Sequence, residues 1–242
     1  LDNILAPKKY VISHSLLTIE KFIRKKQLFS YIKNRPIYLL LSDYHLNKMS
    51  KIISLFGTKK IFYGVDKAFQ DEPLSDFHDK NLSFFTSRQD RNLDKLINVW
   101  KEDIFKKRSD SKLFITPISK DLRKFNIFNR KMLQRDKYID DIKKSRMIIL
   151  PGHKSELFCL AALEASELCI PLVTMGIGSL SERVEHGVTG LISNNYSEFS
   201  KNILDLYNND HMWQEIKINL RLRRGNNSWN RAAQNFLKII TI

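Results

Sequence analysis

RMIILPGHKSELFCLAALEASELCIPLVTMGIGSLSERVEHGVTGLI, residues 146–192, decides the fold. Residues 147–150 are an unbroken apolar run stopped by Pro151-Gly152, as in a strand covered on both faces of a parallel sheet. A polar turn over residues 152–155 leads into a helical stretch that carries Glu156 and Glu164. Residues 171–175 read as a second buried strand, closed by a loop with Gly176 and Gly178. Strand, turn, helix, strand is the βαβ unit of an α/β domain with a Rossmann-like parallel sheet and helices on both faces. Ligands of such sheets sit beyond the carboxyl ends of the strands, where both turns lie.

Towards the C-terminus, three helical stripes follow Asn194: residues 199–207, 212–220 and 229–240. Gly225-Asn226-Asn227 separates the last two, with Ser228 as N-cap. Towards the N-terminus, residues 136–144 read as a short helix and 121–131 as a basic irregular segment. Residues 112–116 and 82–86 read as strands, with a turn at 87–92 and a helix stripe from Leu93 to Ile104 between them. Residues 67–80 are polar and contain one proline, the composition of a linker. Before it, residues 8–14, 37–41 and 60–63 read as strands. Helices are expected over 16–33 and from Asp43 to about residue 56, the second capped by Ser42.

Composition narrows the class. At 43% hydrophobic the 242 residues can bury a core, and no apolar run approaches a membrane span. Two cysteines, Cys159 and Cys169, are too few for a disulfide framework and read as buried reduced thiols of a cytosolic protein. No Cys/His cluster has zinc spacing, and no P-loop, GxGxxG or Ser/His/Asp arrangement occurs. The net charge of +15 has two readings: attraction to anionic partners, or compositional drift in a chain rich in Lys, Asn and Ile. The basic residues are spread out and lack the aromatic interleaving that stacks single-stranded bases.

The ordered set in 146–192 resembles the C-terminal domain of the family 4 (group 1) glycosyltransferases, retaining enzymes of the two-domain GT-B fold. That family carries two glutamates with seven residues between them, as do Glu156 and Glu164. Its motif has glycines on both sides of an aromatic; here Leu157 and Cys159 flank Phe158. Gly178-Ser179-Leu180-Ser181-Glu182 matches its Gly-Gly-x-x-Glu loop, and Glu185 to Gly190 its E-x-G-x-x-G ending. Gly64-Val65-Asp66 matches the tripeptide at which the family crosses between domains. Two Rossmann-like domains need roughly 100–150 residues each. The chain is therefore expected to be a piece of a longer enzyme that binds donor and transfers sugar poorly alone. Residues 1–60 would be the terminal part of the N-terminal, acceptor-side domain and 61–80 the interdomain linker. Residues 81–242 would be the nucleotide-sugar-binding domain, with the last helix packing back on the N-terminal one.

The resemblance implies a site. Arg88 and Arg91, at the family's Gly-Arg and Lys-Gly positions, would hold the donor diphosphate together with the backbone of Leu157 and Phe158. Glu156 would meet the sugar hydroxyls as a catalytic residue, Glu164 the ribose, and His14 the transferred sugar from the N-terminal side. His153, Gly178 and Glu182 are possible contacts to sugar or phosphate. The implied activity is transfer of a sugar, of hexosyltransferase type, from a nucleotide-diphosphate sugar to a glycan or lipid-linked acceptor in surface polysaccharide or glycoconjugate synthesis. No metal or other cofactor is implied. The expected place is the cytoplasm, with peripheral contact to an anionic membrane face, and no nucleic acid partner. The rival reading is a non-catalytic basic Rossmann-like module that binds nucleotides or nucleic acid.

Overall fold

The computed structural model describes residues 5–74, 78–131 and 133–241, so residues 1–4 of the expected N-terminal part and 75–77 of the expected linker lie outside it. A small sheet of β1 (Tyr10–Ile12), β2 (Ile37–Leu40) and β3 (Thr58–Lys60) is parallel in the order β1-β2-β3. Its crossovers hold α1 (Ile19–Arg24) and α2 (Leu28–Asn34), then α3 (Asp43–Lys48) with a 3-10 turn over Lys51–Ser54. The helix expected over 16–33 is divided because Lys26 takes a φ of 55°, which a right-handed helix cannot contain. Ser42 caps α3 as expected, its Oγ accepting the His45 N–H at 3.0 Å.

The segment expected as a polar linker is largely built into the molecule. Ile61, Val65 and Phe69 are buried, and α4 (Lys67–Asp71) forms within it, capped by Asp66. A few apolar side chains at the right spacing outweigh a polar average.

The large sheet holds β4 (Asp79–Phe84), β5 (Lys112–Ile115), β6 (Ile127–Asn129), β7 (Ser145–Gly152), β8 (Leu172–Ile177) and β9 (Gly190–Ile192). All pairings are parallel and the order is β6-β5-β4-β7-β8-β9. Between β4 and β5 run α5 (Leu93–Val99), a π-type turn (Trp100–Ile104) and α6 (Phe105–Lys107); α7 (Arg135–Ile142) precedes β7, and α8 (Leu160–Glu167) joins β7 to β8. The helices α9 (Tyr196–Asn208), α10 (Asp210–Arg223) and α11 (Trp229–Ile240) follow. β7 is buried at all its positions, as a central strand covered on both faces must be. Strand order reverses between β4 and β7, so the loops leaving these two strands part there and open a crevice.

The chain crosses between the sheets twice, near Val65 and near Ser228, and the two crossings pair as a parallel bridge. Gly64 lies so close to the start of α11 that a Cβ would collide with the Trp229 backbone. The Tyr63 and Trp229 rings pack at 5.6 Å, so α11 begins against the first crossing. No helix among the described residues is long and apolar enough to cross a membrane.

Candidate active site at the switch point

The β4 and β7 loops are tied together by a residue in an unusual conformation. Asn92 has a φ of 60° and donates from its side chain to the Gly152 carbonyl at 2.6 Å. Asparagine is among the few L-residues that tolerate the left-handed region, which is the physical reason a glycine suits this position in the family pattern. Gly152, at φ 90°, has no room for a Cβ against the Ile177 carbonyl.

Arg91, Glu156 and His153 converge at this tie. Arg91 is 14% exposed, with Nε 3.5 Å from Glu156 Oε2, while Glu156 is 18% exposed. Arg91 Nη1 donates to His153 Nδ1 at 3.0 Å, and the same nitrogen accepts the Ser155 N–H at 3.1 Å. With Nδ1 accepting twice, the ring proton sits on Nε2. Glu156 Oε1 accepts the Cys159 N–H at 3.2 Å. Among the described residues, the N–H groups of Leu157 and Phe158 meet no protein acceptor. Gly178, at φ 79°, lets the β8 loop pass against this turn, where a Cβ would lie 2.5 Å from the His153 carbonyl oxygen. The result is one guanidinium close in the chain fold to two backbone N–H groups with no protein acceptor among the described residues, donors of the kind that bind an anion with several oxygens.

Glu156 does not open α8, as the helical pattern had suggested. α8 starts at Leu160 because Cys159 takes a φ of 57°. A β-carbon pays there for a conformation that glycine adopts freely. Arg88 stands apart from the cluster: its side chain is 70% exposed and pairs with Asp90 at 2.7 Å. Glu164 is half-buried on α8. Burial raises its carboxyl above the usual range, Arg135 and Arg130 pull it back, and Asp66 adds to the rise. Around it, Arg135 pairs with Asp66 at 2.6 Å, and the Arg130 guanidinium lies 5.4 Å from the Tyr138 ring centroid. The buried Arg130 Nε has no partner among the described residues, an orphaned donor at this end of the crevice. The motif reading had missed Arg130, Arg135 and Tyr138. Only their clustering after a strand could have flagged them.

His14 follows β1 and reaches the cluster through an aromatic relay. Its Nε2 lies 3.1 Å from the Tyr63 hydroxyl, and Tyr63 packs on Phe158 at 5.2 Å. Both oxygens of Glu182 are taken by the N-terminus of α3, from the N–H groups of Asp43 at 2.9 Å and Tyr44 at 2.6 Å. Glu182 therefore joins the two sheets where a sugar or phosphate contact had been expected. Arg183 does similar work: Nε donates to the Phe158 carbonyl at 2.8 Å, and the guanidinium lies 4.2 Å from that ring's centroid. Cys159 and Cys169 are both free and buried. Among the described residues, no three His, Cys, Asp or Glu side chains converge as metal ligands.

Residues 126–228 match the family model described as glycosyl transferases group 1. Over 96% of its length the chain is 26% identical to an uncharacterized glycosyltransferase, MJ1178, of Methanocaldococcus jannaschii, and covers 61% of that protein. A TarM mutant of S. aureus, solved with fondaparinux, alpha-GlcNAc-glycerol and UDP, superimposes with a TM-score of 0.75 at 17% identity, over 96% of this chain and 50% of that one. Anabaena Alr3699/HepE in complex with UDP gives 0.75 at 14% identity, over 97% of this chain and 72% of that one. At these identities the superpositions show the fold, that of the GT-B glycosyltransferases. The chain thus spans about half to three quarters of the proteins it resembles.

Proposed function

We propose, from a chain that carries a group 1 glycosyl transferase region at residues 126–228 within a GT-B fold, that it is the donor-binding part of a retaining glycosyltransferase. The observation that carries this reading is the convergence of Arg91, His153 and Glu156 where β4 and β7 part. The substrate is a nucleotide-diphosphate sugar. UDP is the first candidate nucleotide, because structures of similar fold were solved with it.

The diphosphate lies on Arg91 and the N–H groups of Leu157 and Phe158. Arg88 is available to join it by exchanging Asp90 for phosphate. Charge that develops on the leaving diphosphate is met by fixed donors in a crevice, where they act more strongly than in water. Cationic side chains and backbone dipoles are assigned this neutralisation, so the reading requires no metal. Glu156 receives the sugar hydroxyls, and Glu164 receives the ribose hydroxyls with Arg130 and Arg135 alongside. As the glycosidic bond to phosphate breaks, positive character grows on the sugar ring, and the acceptor hydroxyl attacks the face the nucleotide leaves and passes its proton to the departing phosphate oxygen. His14 stands on the small-sheet side, where the acceptor enters. The acceptor is a glycan or lipid-linked group of surface polysaccharide or glycoconjugate synthesis. The basic chain works in the cytoplasm, in peripheral contact with an anionic membrane face.

Calorimetric titration with UDP and UDP-glucose tests the two-ended placement. Glu164→Gln should weaken both ligands by about tenfold, the worth of one charge-assisted contact. Glu156→Gln should weaken only the sugar nucleotide and slow UDP release on turnover. Identical profiles for the two variants overturn the placement. Tight UDP binding with no turnover of any sugar nucleotide by the full-length protein favours the non-catalytic module.

A further inference from the structure

His45 lies on α3 with no exposed surface, and both of its ring nitrogens are engaged. Nε2 is 3.2 Å from the Ser15 carbonyl oxygen, which accepts and cannot donate, so the ring proton sits on Nε2. Nδ1 is then the acceptor for the Leu41 N–H, 3.5 Å away. Burial holds the ring below the ordinary histidine value, the Ser15 carbonyl opposes this, and neighbouring His14 adds to it. The ring is therefore neutral at pH 7 and serves as a two-ended spacer, a donor at one end and an acceptor at the other.

What sets this ring apart from an ordinary core histidine is what its partners hold. Ser15 directly follows His14, and the loop is pinned on both sides of that residue. Ser13 N–H donates to the Leu39 carbonyl at 3.2 Å, and Ser13 Oγ donates to the Ser15 carbonyl at 2.8 Å. Leu41 follows β2, and its carbonyl accepts from Arg183 Nη2 at 3.4 Å. The helix that carries His45 gives the N–H groups of Asp43 and Tyr44 to Glu182. One imidazole thus connects the loop that presents His14, the end of β2 and the helix that Glu182 grips. Neither end of the spacer can move alone without stranding a buried polar group, so the three parts shift together.

We propose that His45 is a positioning residue that couples Glu182 to His14: while Glu182 holds α3, His45 holds the Ser15 carbonyl, and His14 stays against the Tyr63 hydroxyl. The use of this coupling in sugar transfer rests on the glycosyltransferase reading; the coupling itself rests on the hydrogen bonds alone. It is read by NMR titration of the protein with labelled histidine rings, the His14 signal being assigned with His14→Gln. Glu182→Ala should move the His14 midpoint by about 0.3 pH unit or more. The same change is then made beside two replacements of His45. Glutamine reaches as far as Nε2 and keeps a donor for Ser15, whereas asparagine is too short for Ser15 and keeps only an acceptor for Leu41. Glu182→Ala should still move His14 in the His45→Gln protein and should not move it in the His45→Asn protein, since coupled residues are not additive. A general loss of packing would not distinguish the two replacements in this way. An unmoved His14 in Glu182→Ala alone, or an equal shift beside His45→Asn, overturns the proposal, and the first of these decides even where His45→Asn fails to fold. In the full-length protein His45→Asn should lower kcat several-fold with KM for the sugar nucleotide within about twofold, and His45→Gln should restore part of the loss. No turnover by the full-length wild type would damage the glycosyltransferase reading and leave the coupling standing.

Discussion

At the scale of single residues, two arginines that look alike in the sequence have different surroundings. Arg91 is held by His153 and Glu156, whereas Arg88 pairs with Asp90 in solvent. Exposed pairs contribute little, and an enclosed guanidinium with fixed partners is already oriented for its ligand. Arg91→Ala should therefore weaken UDP by about tenfold or more, and Arg88→Ala by less than about threefold, in calorimetric titration. Equal losses would show that Arg88 leaves Asp90 and shares the diphosphate. Glu164 gives a pH prediction. Its carboxyl titrates above the ordinary 4.5, mainly through burial, so between 4.5 and the raised value the folded protein keeps a proton that the unfolded chain has released. Its contribution to stability is thus most favourable below that window and is lost as pH rises through it. The ribose contact proposed for Glu164 runs the other way, because hydroxyl donors need the ionised form. UDP affinity should fall as pH drops through the raised value, and Glu164→Gln should lack that limb; the ratio of the two affinities cancels the titration of UDP itself. Parallel curves would remove Glu164 from the ribose. The glutamates and Arg91 could be found in the sequence from spacing and motif. The tie that Asn92 makes through its φ angle was not legible, and Arg130, Arg135 and Tyr138 were marked only by lying together after a strand, since where they meet is not encoded locally.

At the scale of elements, strands and helices with a long apolar signature were readable, and those that depend on one dihedral or on a neighbour were not. β7, β8, α9, α10 and α11 fall where periodicity puts them. β6 and β9, three residues each at opposite edges of the large sheet, went unseen because they gain strand character from β5 and β8. The start of α8 was misplaced by four residues because Cys159 hides a left-handed turn that glycine would have announced. Gly178 is the element-scale control. Its φ of 79° and the nearby His153 and Glu156 carbonyls leave no place for a methyl group, so the β8 loop and the Glu156 turn must separate to admit one. Gly178→Ala should cost more than about 2 kcal/mol by denaturant unfolding and should also weaken UDP. Gly187→Ala has the same left-handed φ with nothing within 4 Å, and should cost only about 1 kcal/mol of backbone strain. Similar costs for the two would mean that strain alone, without close packing, explains Gly178.

At the scale of the molecule, the two sheets are joined by two crossings and by a clamp formed by Glu182, Tyr44 and Arg183. Glu182 accepts from the first two N–H groups of α3, Tyr44 returns its hydroxyl to the Lys154 carbonyl at 2.8 Å, and Arg183 reaches the Leu41 carbonyl at 3.4 Å. A carboxylate at a helix N-terminus is favourable electrostatically, and here it also fixes the small sheet over the Glu156 loop. The crossings behave differently. The fully buried Glu167 accepts from Gly225 and Asn227 on the second crossing, so that strand of the joint is anchored inside the large-sheet half. We expect the clamp at the crevice to open while the crossings hold. Glu182→Ala should then speed hydrogen exchange at the α3 amides and lower turnover. It should leave UDP affinity within about threefold of wild type, because the nucleotide contacts assigned above lie in the large-sheet half. Glu167→Ala should instead lower the melting temperature of the whole chain, since it leaves the part-buried donors of Gly225 and Asn227 without their carboxylate. If Glu182→Ala weakened UDP as strongly as Arg91→Ala, the crevice would need the small sheet to bind nucleotide at all, and the division of labour between donor half and acceptor half would have to be abandoned.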